Sequence, residues 1–168
     1  AEEMIARHGL AARAEILGVG WTSDAYHFTS PNRETIVRAM REAIADAGLR
    51  PGDIGYVNTH GTSTQKGDLA EVECLRSVFG KALEKIPLSS NKSQIGHTLG
   101  AAAAIEGALT IEGMRRGILL PTINHRPDPH FADIDCVPDA ARRQPHELAL
   151  SNAFGFGGTN CCIVFRGV

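Results

Sequence analysis

The sequence lacks paired cysteines, a basic cluster and a long uncharged apolar segment, and each absence excludes a class of protein. Its four cysteines form no CxxC motif and two of them are adjacent, which argues against a zinc knuckle or a disulfide framework and favours a reduced, cytoplasmic protein. The net charge of −2 argues against nucleic-acid binding, which needs a clustered basic face. The most apolar long segment, 100–120, carries four charged side chains, so no membrane span is predicted.

The residues that are present predict one globular domain in which strands and helices alternate. With 168 residues, 43% of them hydrophobic, the chain is long enough to bury a core. Apolar periodicity and turn residues predict helices and strands. The predicted helices are 33–47, 68–79 and 97–116, and the predicted strands are 14–20, 54–58, 86–89, 147–152 and 159–165. This order predicts a layered α/β fold with a mixed, mainly parallel sheet that ends in an antiparallel strand pair.

His60 lies among small residues in VNTHGTSTQKGD, directly after a predicted strand. Ligands bind at the carboxyl ends of the strands in such sheets, and Gly61 and the neighbouring threonines could offer donors to a polar ligand. The alternative is a strand-end histidine satisfied by the backbone, with the Ser/Thr cluster capping the next helix. Taken alone, this segment does not decide between the two.

Lys92 and His97 follow another predicted strand, in SNKSQIGHTLGAAAAIE, so we expect them at the same sheet edge as His60. Glu106 sits among small apolar residues, where a buried carboxylate needs a partner, and Lys92 is the candidate. Nine residues separate His97 from Glu106, which places them on opposite faces of an ideal helix. Either His97 precedes the regular helix or Lys92 reaches round it.

A glycine-rich turn, NAFGFGGTN, joins the last two predicted strands. Glycines allow unusual backbone angles, and the exposed N–H groups of such a turn can bind a developing negative oxygen. The alternative is a tight hairpin that only connects the two strands. No GK[ST] follows, so the turn is not a phosphate-binding P-loop. His125, Asp128 and His130 lie in a proline-rich loop without the helical spacing of a zinc site, and no metal site is predicted.

Together, NTHGTSTQKGD, SSNKSQIGHTLGAAAAIE and LSNAFGFGGTN resemble, in this order and spacing, the second half of a β-ketoacyl-acyl-carrier-protein synthase of the type II elongating class. The resemblance covers essentially the whole chain and implies one half of a thiolase-like fold. It also implies a decarboxylative Claisen condensation in fatty-acid or polyketide chain elongation, without a cofactor. In that reaction malonyl-carrier protein loses carbon dioxide, and the resulting enolate attacks an acyl group held on a cysteine.

The resemblance assigns catalytic roles to three residues. His60 and His97 would each donate a hydrogen bond to the thioester oxygen that becomes negative as carbon dioxide leaves. Preorganised donors of this kind are typically worth about 3–4 kcal/mol each. Lys92 would supply positive potential, and Glu106 would support it as its partner.

The resemblance also assigns residues to the glycine turn and to the carrier arm. Phe156 would be the gating phenylalanine, and its backbone N–H would form part of an oxyanion hole. Thr62 and Thr64 would bind the phosphopantetheine arm. Gln65 and Lys66 stand where the family often has a proline and an apolar residue, so the detail of these contacts differs from the family pattern.

No cysteine in the chain matches the nucleophile of the family, which belongs to its first half. The four that we compared are Cys74, Cys136, Cys161 and Cys162. Residues 1–168 therefore resemble a C-terminal ketosynthase domain that is inactive alone and exposes apolar surface where the N-terminal half would pack. The chain also opens without methionine, in what reads as the middle of a helix, so we expect the natural N-terminus to lie elsewhere.

The resemblance implies several partners: the acyl carrier protein with its malonyl-phosphopantetheine group, the N-terminal half, and a second copy in a homodimer of the intact enzyme. The rival hypothesis is a non-catalytic partner similar to chain-length factors. Such a partner has no chemical need for His60, Lys92 and His97 together. A thiolase-type enzyme would show a cysteine in the C-terminal glycine-rich motif, where this chain has Phe156.

Overall fold

The computed structural model describes residues 2–27 and 31–168. Its α-helices are α1 (Glu2–His8), α2 (Arg33–Asp46), α3 (Gln65–Phe79), α4 (Lys92–Ile95) and α5 (Ala102–Arg116). Its strands are β1 (Ala14–Ser23), β2 (Tyr56–Asn58), β3 (Leu88–Ser89), β4 (Ile118–Leu119), β5 (Arg142–Arg143), β6 (Leu148–Gly155) and β7 (Thr159–Gly167). In the described ranges, none of the helices combines the length and apolar character needed to cross a bilayer.

Five strands form the central sheet in the order β1-β7-β6-β2-β3. β2 runs parallel to both β3 and β6, whereas β7 runs antiparallel to both β6 and β1. Four strands therefore point one way and β7 points the other. The predicted mixed, mainly parallel sheet with a C-terminal antiparallel pair is confirmed. β4 and β5 form a separate two-stranded sheet.

Helices cover the sheet on both faces because side chains alternate along each strand. On β6 and β7, Leu150 and Val164 point into the larger core, which α2 and α3 complete. Their neighbours Ala149 and Phe165 point to the other face, where Met114 of α5 joins them. The result is a three-layer arrangement with the sheet in the middle.

Two glycines on β1 let α2 approach so closely that the helix backbone packs directly on the strand. A Cβ added to Gly18 would lie 2.2 Å from the carbonyl oxygen of Ala43, and one added to Gly20 would lie 1.8 Å from that of Ala39. No side chain fits these gaps, so the glycines set the distance between the first strand and its covering helix.

The long helix predicted over 97–116 is shorter in the structure. The regular helix begins at Ala102, after a 3-10 turn over Leu99–Ala101. Gly96 and Leu99 have positive φ values of 75° and 51°, which a regular helix cannot contain. His97 consequently lies in a loop between α4 and α5. The sequence patterns also did not predict α4. The predicted start of α3, at Asp68, lies three residues after the observed start at Gln65.

Candidate active site

The parallel strands bring two histidines together at one edge of the sheet. His60 follows β2, and His97 lies in the segment that follows β3. Their ring centroids are 5.5 Å apart, with the ring planes nearly perpendicular at 83°. The expectation that both loops reach the same edge therefore holds, because β2 and β3 run in the same direction.

His60 is a neutral imidazole whose proton position is set by the backbone. The N–H of Phe154 donates to His60 Nδ1 at 3.3 Å, and the Phe154 ring lies against the imidazole with centroids 5.4 Å apart. Burial, together with the positive charge of Lys92 and the neighbouring His97, lowers the pKa of His60 to about 3. Because Nδ1 accepts a hydrogen bond, the single proton of the neutral ring is on Nε2, which is free to donate.

His97 has the same arrangement at its Nδ1. The N–H of Leu99 donates to His97 Nδ1 at 3.1 Å, and a ring that accepts this bond carries its proton on Nε2. Unlike His60, the His97 side chain is exposed in this chain. The two loops together present a pair of imidazole N–H donors at one sheet edge.

Lys92 and Glu106 form a buried ion pair behind the histidines. Lys92 Nζ lies 2.6 Å from Glu106 Oε1, and only 4% and 1% of the two side chains are exposed. The contact between the ammonium and the carboxylate does not have hydrogen-bond geometry. Neither charged group has a hydrogen-bond partner among the described residues. Since His97 precedes the regular helix, the first of the two predicted alternatives is correct, and Lys92 need not reach round the helix.

Glu71 belongs to the site, although we did not single it out in the sequence. Its two carboxylate oxygens accept the backbone N–H groups of His60 and Gly61, each at 2.9 Å, and Asn152 Nδ2 donates to it at 3.1 Å. Burial raises the pKa of Glu71, and these hydrogen bonds oppose that shift. Glu71 therefore fixes the loop that carries His60. The sequence does carry a signal for the burial of Glu71. Glu71 lies at helical spacing from Ala70, Cys74 and the other residues that α3 buries on the same face.

The threonine loop is held by a carboxylate at the start of α3. Thr62 and Thr64 have hydroxyl oxygens 3.1 Å apart. Burial raises the pKa of Asp68, whereas hydrogen bonds from the backbone of Ser63, Thr62 and Thr64 lower it. A Cβ on Gly67 would lie 2.4 Å from the Thr64 hydroxyl, so glycine leaves room for that side chain. The two predicted arm-binding threonines are thus preorganised at the same sheet edge.

The glycine turn is a hairpin between β6 and β7 with Phe156 at its exposed tip. Asp24 anchors it: the Asp24 N–H donates to the Gly158 carbonyl oxygen at 2.8 Å, and Asn160 Nδ2 donates to the Asp24 carboxylate at 2.7 Å. Gly158 has a φ of 81°, and a Cβ there would lie 2.3 Å from Asp24 Cβ. Phe154, two residues before Phe156, contacts His60, so the hairpin and the histidine pair are adjacent.

The remaining candidates do not form a site. His130 Nδ1 lies 2.8 Å from Asp128, whereas His125 faces Cys136 at 3.7 Å. Across residues 2–27 and 31–168, no three metal-binding side chains are grouped. Burial raises the pKa of every cysteine thiol, that of Cys74 to about 12. These shifts are opposite to those of an activated thiol, whose pKa is lowered.

The low pKa of His60 predicts a specific loss of stability in acid. The unfolded chain has an imidazole pKa near 6.5, whereas the folded chain holds that of His60 at about 3. Between these values the unfolded state binds a proton that the folded state does not, so the free energy of unfolding falls as the pH drops from about 6.5 toward 3. We expect the fall in the free energy of unfolding to be about 2 kcal/mol, because partial exposure of the ring to solvent weakens the effect.

Urea unfolding of the wild type and of His60→Gln at a series of pH values measures the effect. All other titrating groups are common to both proteins, so the difference between the two curves isolates His60. We expect the gap to change across this pH range; a constant gap would show that His60 titrates alike in both states.

Comparisons with known proteins identify the family of the chain. Residues 13–126 match the model of the β-ketoacyl synthase, C-terminal domain. The chain is 44% identical over 156 residues to the 3-oxoacyl-[acyl-carrier-protein] synthase 2 of Staphylococcus aureus, covering 91% of this chain and 38% of that protein. The chain thus spans about two-fifths of the length of the curated relatives that it matches.

Solved structures give the same result. A β-ketoacyl synthase from Burkholderia phymatum STM815 superposes with a TM-score of 0.92 at 44% identity, over 99% of this chain and 40% of that one. A type II PKS ketosynthase in complex with its acyl-carrier protein superposes with a TM-score of 0.94 at 33% identity, over 100% of this chain and 42% of that one. The chain therefore belongs to the β-ketoacyl synthase family, as its C-terminal domain.

Proposed function

We propose that this chain is the decarboxylating half of a 3-oxoacyl-[acyl-carrier-protein] synthase, an acyltransferase of fatty-acid or polyketide chain elongation. The observation that carries the proposal is the pair of imidazoles whose Nδ1 atoms both accept backbone N–H groups. Both rings then offer Nε2–H, and two preorganised donors suit an oxygen that becomes negative during a reaction.

The proposed reaction begins with a decarboxylation that places negative charge on the thioester oxygen of the malonyl group. The bond between the malonyl carboxylate and the α-carbon breaks, carbon dioxide leaves, and the electron pair forms an enolate whose charge rests on the thioester oxygen. His60 and His97 donate to that oxygen. The α-carbon then attacks the acyl thioester, a carbon–carbon bond forms, and the cysteine thiolate leaves. Lys92 adds positive potential and helps to keep His60 neutral, so that Nδ1 can accept the Phe154 N–H and Nε2 carries the donor proton.

The threonine loop and the glycine turn complete the substrate path in this proposal. Thr62 and Thr64 bind the phosphopantetheine arm of the carrier protein through their hydroxyl groups. Phe156 gates the path, and its backbone N–H stabilises the tetrahedral oxygen of the second step. In support, Asp68 and Asp24 hold these two segments in place, which is what positioning catalysis requires.

In this proposal the nucleophile belongs to another part of the complete enzyme. In support, burial raises the pKa of each of the four thiols in this chain. An exposed apolar surface supports an N-terminal half that packs against this domain. Val19 and Trp21 are exposed on the face of the sheet that α5 covers elsewhere, and Leu99 and Ile105 are exposed near α5. Exposed apolar side chains that lie together mark interaction surfaces. We propose that the completed enzyme is a cytoplasmic homodimer.

The rival function is a non-catalytic partner similar to chain-length factors. Such a partner would keep the fold but would have no chemical need for two Nε2–H donors and a buried lysine. Three observations support the catalytic role: the two histidine rings are adjacent, Glu71 holds the backbone of His60, and the charge of Lys92 acts on His60.

Incubation of the complete polypeptide with malonyl-carrier protein and acyl-carrier protein tests the proposal. We expect release of carbon dioxide and formation of the ketoacyl product, and neither from the 168-residue chain alone. A folded complete polypeptide without either product would support the chain-length-factor role instead.

Cerulenin, a covalent inhibitor, should add once to the complete polypeptide and not to this chain, as judged by intact mass. Labelling of a cysteine within residues 1–168 would contradict our assignment of the nucleophile to the other half.

A further inference from the structure

Leu99 adopts a backbone conformation that leucine normally avoids. Its φ of 51° lies in the left-handed region, where the Cβ of any residue but glycine is crowded. A glycine follows at position 100 and would take this conformation freely, yet the left-handed residue is the leucine. Strained residues of this kind persist only where the surrounding structure requires them.

Burial of the leucine side chain does not account for the strain in this chain. The Leu99 side chain is 69% exposed, so it gains little from packing within the domain. The requirement must therefore come from the Leu99 backbone or from a contact outside this chain.

The Leu99 backbone makes one contact of direct chemical importance. Its N–H donates to His97 Nδ1 at 3.1 Å, two residues back along the chain. Gly96, with a φ of 75°, ends α4 on one side of His97, and the 3-10 turn that begins at Leu99 leads into α5 on the other. The histidine is thus held between two left-handed residues, and its ring accepts the first N–H of the turn.

We propose that Leu99 is a positioning residue for His97. With α5 fixed by its packing, the left-handed φ of Leu99 orients the preceding peptide so that its N–H meets Nδ1. This hydrogen bond fixes the tautomer and the orientation of the ring and leaves Nε2–H for the substrate. This inference rests on the proposed function, because the direction of the donor matters to the reaction only if His97 stabilises the enolate oxygen.

Nitrogen-15 NMR of the imidazoles in this chain tests the inference directly, because the two ring nitrogens have different shifts in each tautomer. The spectra are recorded well above the ordinary imidazole pKa of about 6.5, and His97→Gln identifies the His97 signals by their loss. We expect the wild type to show one tautomer, with the proton on Nε2.

Three substitutions separate the backbone from the side chain. Leu99→Gly keeps the N–H and accepts a positive φ, so the single tautomer should persist. Leu99→Pro removes the N–H and fixes φ near −65°, so the single-tautomer pattern should be lost. Gly100→Ala is the matched control, since a Cβ there meets nothing within 4 Å, and its spectrum should match the wild type.

An unchanged His97 pattern in Leu99→Pro would overturn the proposal. If that variant does not fold, Leu99→Val replaces it, because a β-branched residue keeps the N–H but strongly disfavours a positive φ. Averaging of the His97 signals in Leu99→Val then supports the role, and an unchanged pattern overturns it.

Rate measurements in the complete enzyme distinguish the positioning role of Leu99 from the catalytic role of His97. In the complete enzyme, Leu99→Pro should slow decarboxylation about tenfold or more, since small misplacements of a catalytic group have effects of this size or larger, and Leu99→Gly should not. If His97→Ala leaves decarboxylation intact while the tautomer results hold, the proposed function is wrong and the positioning role stands. If His97→Ala is inactive but Leu99→Pro retains both tautomer and rate, the positioning role is wrong.

Discussion

Lys92→Met should destabilise the domain by about 3–5 kcal/mol. The substitution keeps the apolar stem of Lys92 but leaves the Glu106 carboxylate, which is only 1% exposed, without its counter-charge. A buried charge without a partner carries most of its desolvation penalty. For a domain of this size the expected fall in melting temperature is roughly 6–20 °C, which thermal unfolding followed by circular dichroism will measure.

Two controls show whether this loss comes from the buried charge. The double variant Lys92→Met/Glu106→Leu removes both charges, and replacement of a buried pair by apolar residues is often neutral or stabilising, so it should recover most of the loss. Arg38→Met breaks an exposed pair with Glu42 and should cost less than about 1 kcal/mol. Equal losses in the single and double variants would mean that packing, and not the unpaired carboxylate, determines the effect.

Much of the fold could be predicted from the sequence because its signals are local. Apolar periodicity and turn residues indicated the alternation of strands and helices, and parallel strands must end at the same edge. That was enough to expect His60 and His97 at one site and to pair Lys92 with Glu106. The placement of Cys162 in the core likewise follows from alternation along β7.

The parts that the sequence did not predict depend on contacts between distant segments or on unusual backbone angles. The alanine-rich stretch after His97 favours helix throughout, and nothing in a leucine signals the positive φ at Leu99 that delays the helix to Ala102. Asp24 anchors Gly158 across more than a hundred residues of chain, and no local pattern marks that contact. Glu71 is a different case, since its spacing from Ala70 and Cys74 on α3 could have indicated burial, but no local pattern marks its partners.

In the complete enzyme, His60→Ala and His97→Ala should each lower the rate constant of malonyl-carrier decarboxylation by about 10²–10³-fold. Each ring presents one Nε2–H because the backbone occupies its Nδ1, so alanine removes one donor from the developing enolate oxygen. An interaction that strengthens only as charge develops acts on kcat, and KM should change little. Decarboxylation followed by carbon dioxide release under saturating and limiting substrate separates the two constants.

The glutamine variants distinguish the donor from the ring. His60→Gln and His97→Gln place an amide N–H near the position of Nε2 and should retain more activity than the alanine variants. His130→Gln, in the loop that pairs with Asp128, is the matched control and should retain full activity. Full decarboxylation by folded His97→Ala would show that the exposed ring does not reach the oxygen. In that case His60, held by Glu71 and Phe154, would act as the sole imidazole donor, and the family's two-donor arrangement would not apply to this chain.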